Sequence, residues 1–338
     1  MSGLADPPPL DEITGPIDQQ RFDQIRAANR PVVLRGLVEH WPAVAAGRQG
    51  GAAIVAYLHQ CGSARPVTAI AAMPAENGRF FYNSDLSGMN FVKGQGQLGM
   101  FLDDLLRAAD LPQPPGLAVQ SEGVAELLPA FAQANRLDLL AHVPARIWIG
   151  NRIRVAAHYD VKENIACCVS GHRRFTLYPP EQIANLYPGP FESTPAGTPV
   201  SMVDAHSPDL ARYPRFADAW ASARQATLAP GDAIYIPYCW WHGVESLDPV
   251  SILVNYWWND GQPAGIGGPY DALLHALLAY RHLPPGQREV WRGMLDYYVF
   301  EKSGDPAAHL PDHAAGVIGK PSPGLFDKMR QIIRQALG

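Results

Sequence analysis

Cysteine is scarce in this sequence. Its four residues, Cys61, Cys167, Cys168 and Cys239, form no CxxC pair. Adjacent Cys167 and Cys168 in a β-like run would point to opposite faces, so no disulfide framework is expected. A reducing, cytoplasmic setting is the corresponding expectation. Long apolar runs are missing too. No stretch is long enough to span a bilayer, and the N-terminal MSGLADPPPLDEITGP has neither a basic start nor an apolar centre, so neither a secretory signal nor a membrane partner is expected. Basic blocks are absent: 27 Lys and Arg stand against 32 Asp and Glu for a net charge of −5, and only five of the 27 are lysine (93, 162, 302, 320 and 328). That balance argues against a broad phosphate-binding surface, and hence against a nucleic-acid partner. No internal repeat signals a solenoid.

What is present is a chain of 338 residues, 47% hydrophobic, enough for a substantial core in one large domain with an appendage or in two small domains. After a Pro-rich tail over 1–15, expected to be flexible, residues 17–29 read as a helix with Phe22 and Ile25 on one face, and 31–36 as a strand closed by a turn. Helical patterns recur near 51–60, 97–109 and 123–134, with strands expected at 65–70, 79–83 and 117–121, a mixed α/β beginning. From about residue 145 the texture changes to short β-like runs at 146–149, 164–169, 174–178, 201–203, 224–228, 233–236, 243–246 and 251–257. Ser170-Gly171 is expected to close a tight hairpin, and Pro230-Gly231-Asp232 another turn. Many short strands at this spacing indicate an antiparallel sandwich or barrel, an architecture that often encloses a site between its sheets. Beyond residue 268 the pattern turns helical at 269–281, 285–300 and 322–337, the last with Leu325, Met329, Ile332, Ile333 and Ala336 at helical spacing. Such a tail needs a partner surface. The barrel and a second copy of the chain are the two expectations, the latter a homodimer through these helices.

His158-Tyr159-Asp160 is an HxD pair. On a strand, residues i and i+2 share a face, so this spacing aims an imidazole and a carboxylate at one point. His242 offers a third ligand at the end of Gly231-Asp-Ala-Ile-Tyr-Ile-Pro-Tyr-Cys-Trp-Trp-His242. Two histidines and one carboxylate with positions left open suit a non-haem iron(II) centre. HxD alone is also a common hydrogen-bonded pair in caps and loops; the Gly-Asp turn, apolar strand, aromatic run and histidine downstream favour the metal. The remaining histidines have no ligand spacing.

These segments resemble the Jumonji C/cupin-like family of iron(II)- and 2-oxoglutarate-dependent oxygenases, closest to its asparaginyl-hydroxylase branch. The resemblance runs from Ala157-His-Tyr-Asp160 through Asn164, Gly171-His-Arg-Arg-Phe-Thr-Leu-Tyr-Pro-Pro180 and Leu186-Tyr-Pro188 to Tyr235-Ile-Pro237, Trp240-Trp-His-Gly-Val-Glu-Ser246 and Val254-Asn-Tyr-Trp257. Arg30-Pro-Val-Val-Leu-Arg-Gly36 and His40-Trp-Pro42 are similar to the family's N-terminal segment. The resemblance implies an α+β fold: a double-stranded β-helix (jelly-roll/cupin) core, an N-terminal α/β elaboration and a C-terminal helical segment. The domain plan is then a tail over 1–15, a catalytic domain over 16–262 with its core at about 145–258, and a helical region over 263–338, a candidate dimerisation element.

For the site, the resemblance implies Fe(II) held by His158, Asp160 and His242, with 2-oxoglutarate as cosubstrate and O2 as oxidant. Oxidative decarboxylation to succinate and CO2 would be coupled to hydroxylation of a C–H bond. By the same resemblance Arg173 takes the distal carboxylate of 2-oxoglutarate, Asn164 and Asn255 lie near metal and cosubstrate, and Trp257 lies beside a peptide substrate. Trp240, Trp241 and Trp258 would extend an aromatic rim or belong to the core. Two departures remove hydroxyls: Val155 stands where the branch has Thr, and Ala118 where it has a Tyr that contacts the cosubstrate. Tyr82 and Thr176 are the candidates to replace them. Hydroxylation of a side chain in a protein or peptide is the leading reaction. The alternatives are a methyl-lysine demethylase, a tRNA-modifying hydroxylase, and a metal-binding cupin that is non-catalytic or independent of 2-oxoglutarate.

Overall fold

The computed structural model describes residues 4–62, 65–261 and 268–337. The chain divides into two compact units, Met1–Asn259 and Asp260–Gly338; the boundary expected at 262/263 lies outside the described residues. In chain order the strands of the first unit are β1 (Glu12–Ile13), β2 (Val32–Leu34), β3 (Pro66–Ala72), β4 (Arg79–Phe80), β5 (Phe91–Gln97), β6 (Gly116–Gly123) and β7 (Ala145–Gly150). They continue with β8 (Arg154–His158), β9 (Glu163–Ser170), β10 (Arg173–Tyr178), β11 (Arg224–Leu228), β12 (Ala233–Ile236), β13 (Trp241–Ser246) and β14 (Ser251–Trp258). The large sheet has the order β1-β2-β12-β9-β14-β7-β6-β3-β5 and the small one β11-β10-β13-β8-β4. From β7 onward successive strands switch sheets at every connection except those from β10 to β11, which is the winding of a double-stranded β-helix.

The large sheet is covered on both faces, so β9 and β14 are buried along nearly their whole length instead of alternating between buried and exposed positions. On the outer side lie α1 (Gln19–Ala27), α2 (Pro42–Arg48), α3 (Gly51–Gln60) and α4 (Leu98–Ala109). Their Phe22, Trp41, Ile54, Leu58 and Leu102 share one core with Ile147, Ile165, Cys167 and Val254 of the strands. Each such side chain, fully buried, contributes about 1.5–3 kcal/mol. The inner side meets the small sheet through Ala166, Cys168, Ile234, Ile236 and Leu253 against Phe175 and Leu177. Cys167 and Cys168 thus face opposite sides, and both are free thiols.

Ser170-Gly171 is not a hairpin. β9 pairs with β12 and β14, and β10 with β11 and β13, so the segment is a corner that carries the chain from one sheet to the other. Gly171 has φ +70, and a Cβ there would sit 2.7 Å from the Val250 carbonyl oxygen, so the corner excludes any larger residue. Pro230-Gly231-Asp232 makes the same crossing between β11 and β12. Asp232 locks it: Oδ1 accepts from Gly36 N at 3.0 Å, and Oδ2 from Ala229 N at 3.0 Å and Arg35 Nη1 at 2.5 Å.

Other expectations are corrected. The helix expected over 123–134 is broken into α5 (Val124–Leu127) and α6 (Pro129–Ala134), because Pro129 has no N–H to continue it and forces Leu128 out of the helical region. Residues 201–203 form no strand; Ser201 makes a single bridge to Pro188. The Pro-rich tail, from residue 4 onward, is docked rather than free: β1 pairs with β2, Pro9 bridges Gln225, Leu10 is buried and Trp220 Nε1 donates to Ala5 O at 2.7 Å. Proline is tolerated there because an edge position needs no ladder donor from it. β5, with two glycines, two glutamines and a lysine, and α2 had no visible pattern. A further helix, α7 (Phe216–Ser222), covers the small sheet beside β10.

The second unit contains α8 (Pro269–Tyr280), α9 (Pro285–Tyr298) and α10 (Pro323–Leu337). Tyr280 stacks on Trp291 at 5.1 Å between centroids, joining α8 to α9. None of the three helices has a buried residue, and Met329, Ile332 and Ile333 of α10 remain exposed. Among the described residues no helix is long and apolar enough to cross a membrane.

Candidate metal centre

β8 and β13 are neighbours in the small sheet, with His158 directly opposite His242 and a register shift between His242 and Val244. The two rings lie 4.3 Å apart, centroid to centroid. Only His158 belongs to the strand; Asp160 lies just past its end, so a turn rather than strand alternation sets its position. Its carbonyl accepts from Cys239 N at 3.0 Å, tying the end of β8 to the segment that leads into His242. Cys239 adopts a left-handed φ of 58 to do so, a conformation that costs a residue with a β-carbon roughly 1–2 kcal/mol.

One ligand atom from each of His158, Asp160 and His242 lies within 4.8 Å of the others. The Nδ1 atoms face carbonyls, Ala156 O at 2.9 Å and Trp240 O at 3.0 Å. A carbonyl only accepts, so Nδ1 carries the proton and Nε2 presents its lone pair inward. Burial, and next the adjacent His158, push the His242 pKa down to about 4, which keeps the ring neutral. Asp160 Oδ2 is buried without a hydrogen-bond partner, 3.6 Å from His242 Nε2. Two imidazoles with Nε2 turned inward beside an unsatisfied carboxylate oxygen fit a divalent cation, and this donor set suits iron(II).

The triad lies in the wall of a cavity of about 570 Å³ lined by strands of both sheets. Arg173, Phe175 and Leu177 form the inward face of β10, while Arg174 and Thr176 point outward. Arg173 is 4% exposed, and its Nε donates to Ser251 Oγ at 3.0 Å across the cavity wall. No carboxylate of the described residues pairs with it. Burial lowers its pKa to about 10, so the guanidinium is still charged at neutral pH.

Asn164 and Asn255 also line the cavity and are joined: Asn255 Oδ1 accepts from Trp148 Nε1 at 2.8 Å, and Asn255 Nδ2 reaches Asn164 Oδ1 at 3.4 Å. Trp257 stands edge-on to Trp148, 5.7 Å between centroids, and its buried Nε1 has no partner. The other tryptophans belong elsewhere. Trp241 and Trp258 are core residues, and Trp240 packs against the inter-sheet core. Val155 and Ala118 both line the cavity, but the proposed replacements for their hydroxyls do not. Tyr82 packs with Phe81 and Val200. The Thr176 hydroxyl accepts from Gln225 Nε2 at 3.1 Å on the other face of the small sheet. Trp148 and Ser251 were missed: each lies in a strand that was expected, but their cross-strand contacts exist only once the sheets close.

The family model described as a cupin-like domain matches residues 18–263. The chain belongs to the cupin-like domain family. This cupin-like domain is 34% identical over 132 residues to the lysine-specific demethylase JMJ31 of Arabidopsis thaliana, a match covering 39% of the chain and 23% of that relative. It is 37% identical over 115 residues to HSPB1-associated protein 1 of Homo sapiens, covering 33% and 22%. With Jumonji C domain-containing protein 5 of Drosophila melanogaster the identity is 29% over 243 residues, covering 69% of the chain and 55% of the relative. The cupin-like chain therefore spans between about a quarter and about half of the relatives it matches.

Proposed function

We propose that this cupin-like protein is an iron(II)- and 2-oxoglutarate-dependent oxygenase that hydroxylates a side chain in a protein or peptide. One observation carries the reading: the His158–Asp160–His242 cluster shares a cavity between the two sheets with a buried guanidinium that has no counter-ion among the described residues. His158 Nε2, His242 Nε2 and Asp160 Oδ2 would hold the metal. When bound, iron with 2-oxoglutarate supplies the oxidising power for hydroxylation of a C–H bond. The residues of the chain position the reactants and keep water away. Arg173, with Nε turned to Ser251, has its other donors free for a bidentate grip on the distal carboxylate of 2-oxoglutarate. Trp148 orients Asn255, Asn255 orients Asn164, and the amide hydrogens of Asn164 find no acceptor among the described residues, so they are free for a cosubstrate oxygen. Trp148 and Trp257 form an apolar wall beside the reaction centre, and Trp257 would contact the substrate.

Anaerobic titration of the Fe(II)-loaded protein with 2-oxoglutarate tests the proposal. The expected result is a saturable visible metal-to-ligand charge-transfer band that is lost in His158→Ala. Metal binding without a band would support a cupin that does not use this cosubstrate, a reading favoured by the missing hydroxyls at Val155 and Ala118. Demethylation of methyl-lysine, suggested by the name of the Arabidopsis relative, differs by releasing formaldehyde. The exposed apolar residues of α10 support a homodimer through the C-terminal helices, which sedimentation of the full chain against one lacking 323–338 would check.

A further inference from the structure

The cavity has a cationic mouth in a chain that is acidic overall. Of the five lysines, only Lys93 and Lys162 belong to the first unit, and both line the cavity that holds the triad. Both are exposed, so they stand where the cavity meets solvent. The arginines nearby are matched, Arg26 to Glu163 and Arg146 to the Ser121 carbonyl and hydroxyl. Among the described residues, by contrast, the only lysine in an ion pair is Lys302; Lys93 rests 5.8 Å from the Phe91 ring centroid. Half-buried Glu122 on this wall keeps its charge while accepting from the Thr68 backbone N–H at 3.3 Å, so at the mouth the two ammonium groups outnumber it.

A second observation concerns β5, which carries Lys93. It ends the large sheet with β3 as its single neighbour, so the backbone groups along its other side have no strand partner. Gly94 and Gly96 have nothing within 4 Å of where a Cβ would stand, so the face of β5 opposite Lys93 is uncovered at these positions. A lysine on an edge strand also guards against aggregation, but Lys162, off the edge, has no such role.

We infer that the substrate is an extended, acidic segment of polypeptide, which adds to the free edge of β5 and sets its carboxylates against Lys93 and Lys162 at the mouth. The inference rests on the oxygenase reading for the chemistry that follows binding. Main-chain pairing supplies affinity in this mode, and charge selects the sequence. It also opposes a basic tail as substrate, because the two ammonium groups would repel it.

The test is fluorescence anisotropy on the full chain with a short fluorescein-labelled peptide alternating aspartate and glycine, beside its lysine–glycine counterpart. The acidic peptide is expected to bind more tightly, and less so as salt rises. Lys93→Glu with Lys162→Glu should weaken it about tenfold and favour the basic peptide. Methylating alternate backbone amides of the acidic peptide keeps its charge and removes strand donors, and should also weaken binding. Equal binding of both peptides, or an unchanged preference in the double variant, overturns the charge argument; undiminished binding of the methylated peptide overturns strand addition. Tighter binding of an oligouridylate than of the acidic peptide overturns the polypeptide class. The 2-oxoglutarate titration on the same sample separates the two readings: a normal band without peptide selectivity removes this inference alone, and peptide selectivity without a band removes the oxygenase reading alone.

Discussion

Replacing Arg173 by methionine should make the ligand-free protein more stable while abolishing tight binding of 2-oxoglutarate. Burial lowers the pKa of this guanidinium from 12.5 to about 10. At about 1.36 kcal/mol per tenfold change in equilibrium, holding the charge in the folded protein at neutral pH costs about 3 kcal/mol. Methionine fills a comparable volume with a flexible apolar chain, and loss of the hydrogen bond to Ser251 returns about 1 kcal/mol. The net gain is about 2 kcal/mol, a rise in melting temperature of roughly 3 °C for a chain of this size. Cosubstrate affinity moves the other way. Truncating one side of a buried, charge-assisted pair costs about 3 kcal/mol, a loss of roughly 100-fold. Calorimetry of the metal-free protein and anaerobic titration of the iron-loaded one read the two effects separately. A structural arginine gives the opposite pattern, a lower melting temperature with unchanged 2-oxoglutarate binding, and that result would refute the reasoning.

Ser251→Ala should leave the fold intact but free the Arg173 guanidinium to turn, weakening 2-oxoglutarate about fivefold to tenfold; titration of the variant measures it, and an unchanged constant removes Ser251 from the site. Asp232→Ala leaves the N–H groups of Gly36 and Ala229 and the Arg35 guanidinium without their acceptor, and should cost about 3 kcal/mol in urea denaturation. The metal-free protein should lose stability in acid. His242 is pushed down from 6.5 to about 4 by burial and next by His158, so its contribution is fully present above pH 6.5 and is lost as pH falls through 4. Urea midpoints between those values should decline in the parent and less steeply in His242→Gln.

Local chemistry was legible because it acts over a few residues. The helical spacing of Phe22 and Ile25, the turn residues Pro230-Gly231-Asp232 and the HxD pair are each written within one short segment; the helix and the turn occur where expected, and the HxD side chains converge although Asp160 lies past the end of β8. Even the tautomer that turns Nε2 of His158 and His242 inward depends on carbonyls two residues away, Ala156 and Trp240. The sequence by itself therefore determined most elements of the jelly roll, though no range for β8 and a strand at 201–203 that does not form, together with the three converging side chains and the sharp turn at Gly171.

Tertiary structure decided what depends on which strands become neighbours. Ser170-Gly171 looks the same in sequence whether it closes a hairpin or turns a corner; only the pairing of β9 with β14 and of β10 with β13 separates the two. β5 is polar and glycine-rich, and is a strand because β3 offers it a ladder. Arg173 and Arg174 are chemically identical neighbours, and the pleat of β10 sends one into the cavity and leaves the other at the surface beside Glu245. Ser251 meets Arg173, and Trp148 meets Asn255, across distances along the chain that no local pattern encodes. Side-chain direction in a strand alternates with every residue, so the role of each residue waits on a register that closure of the two sheets alone sets.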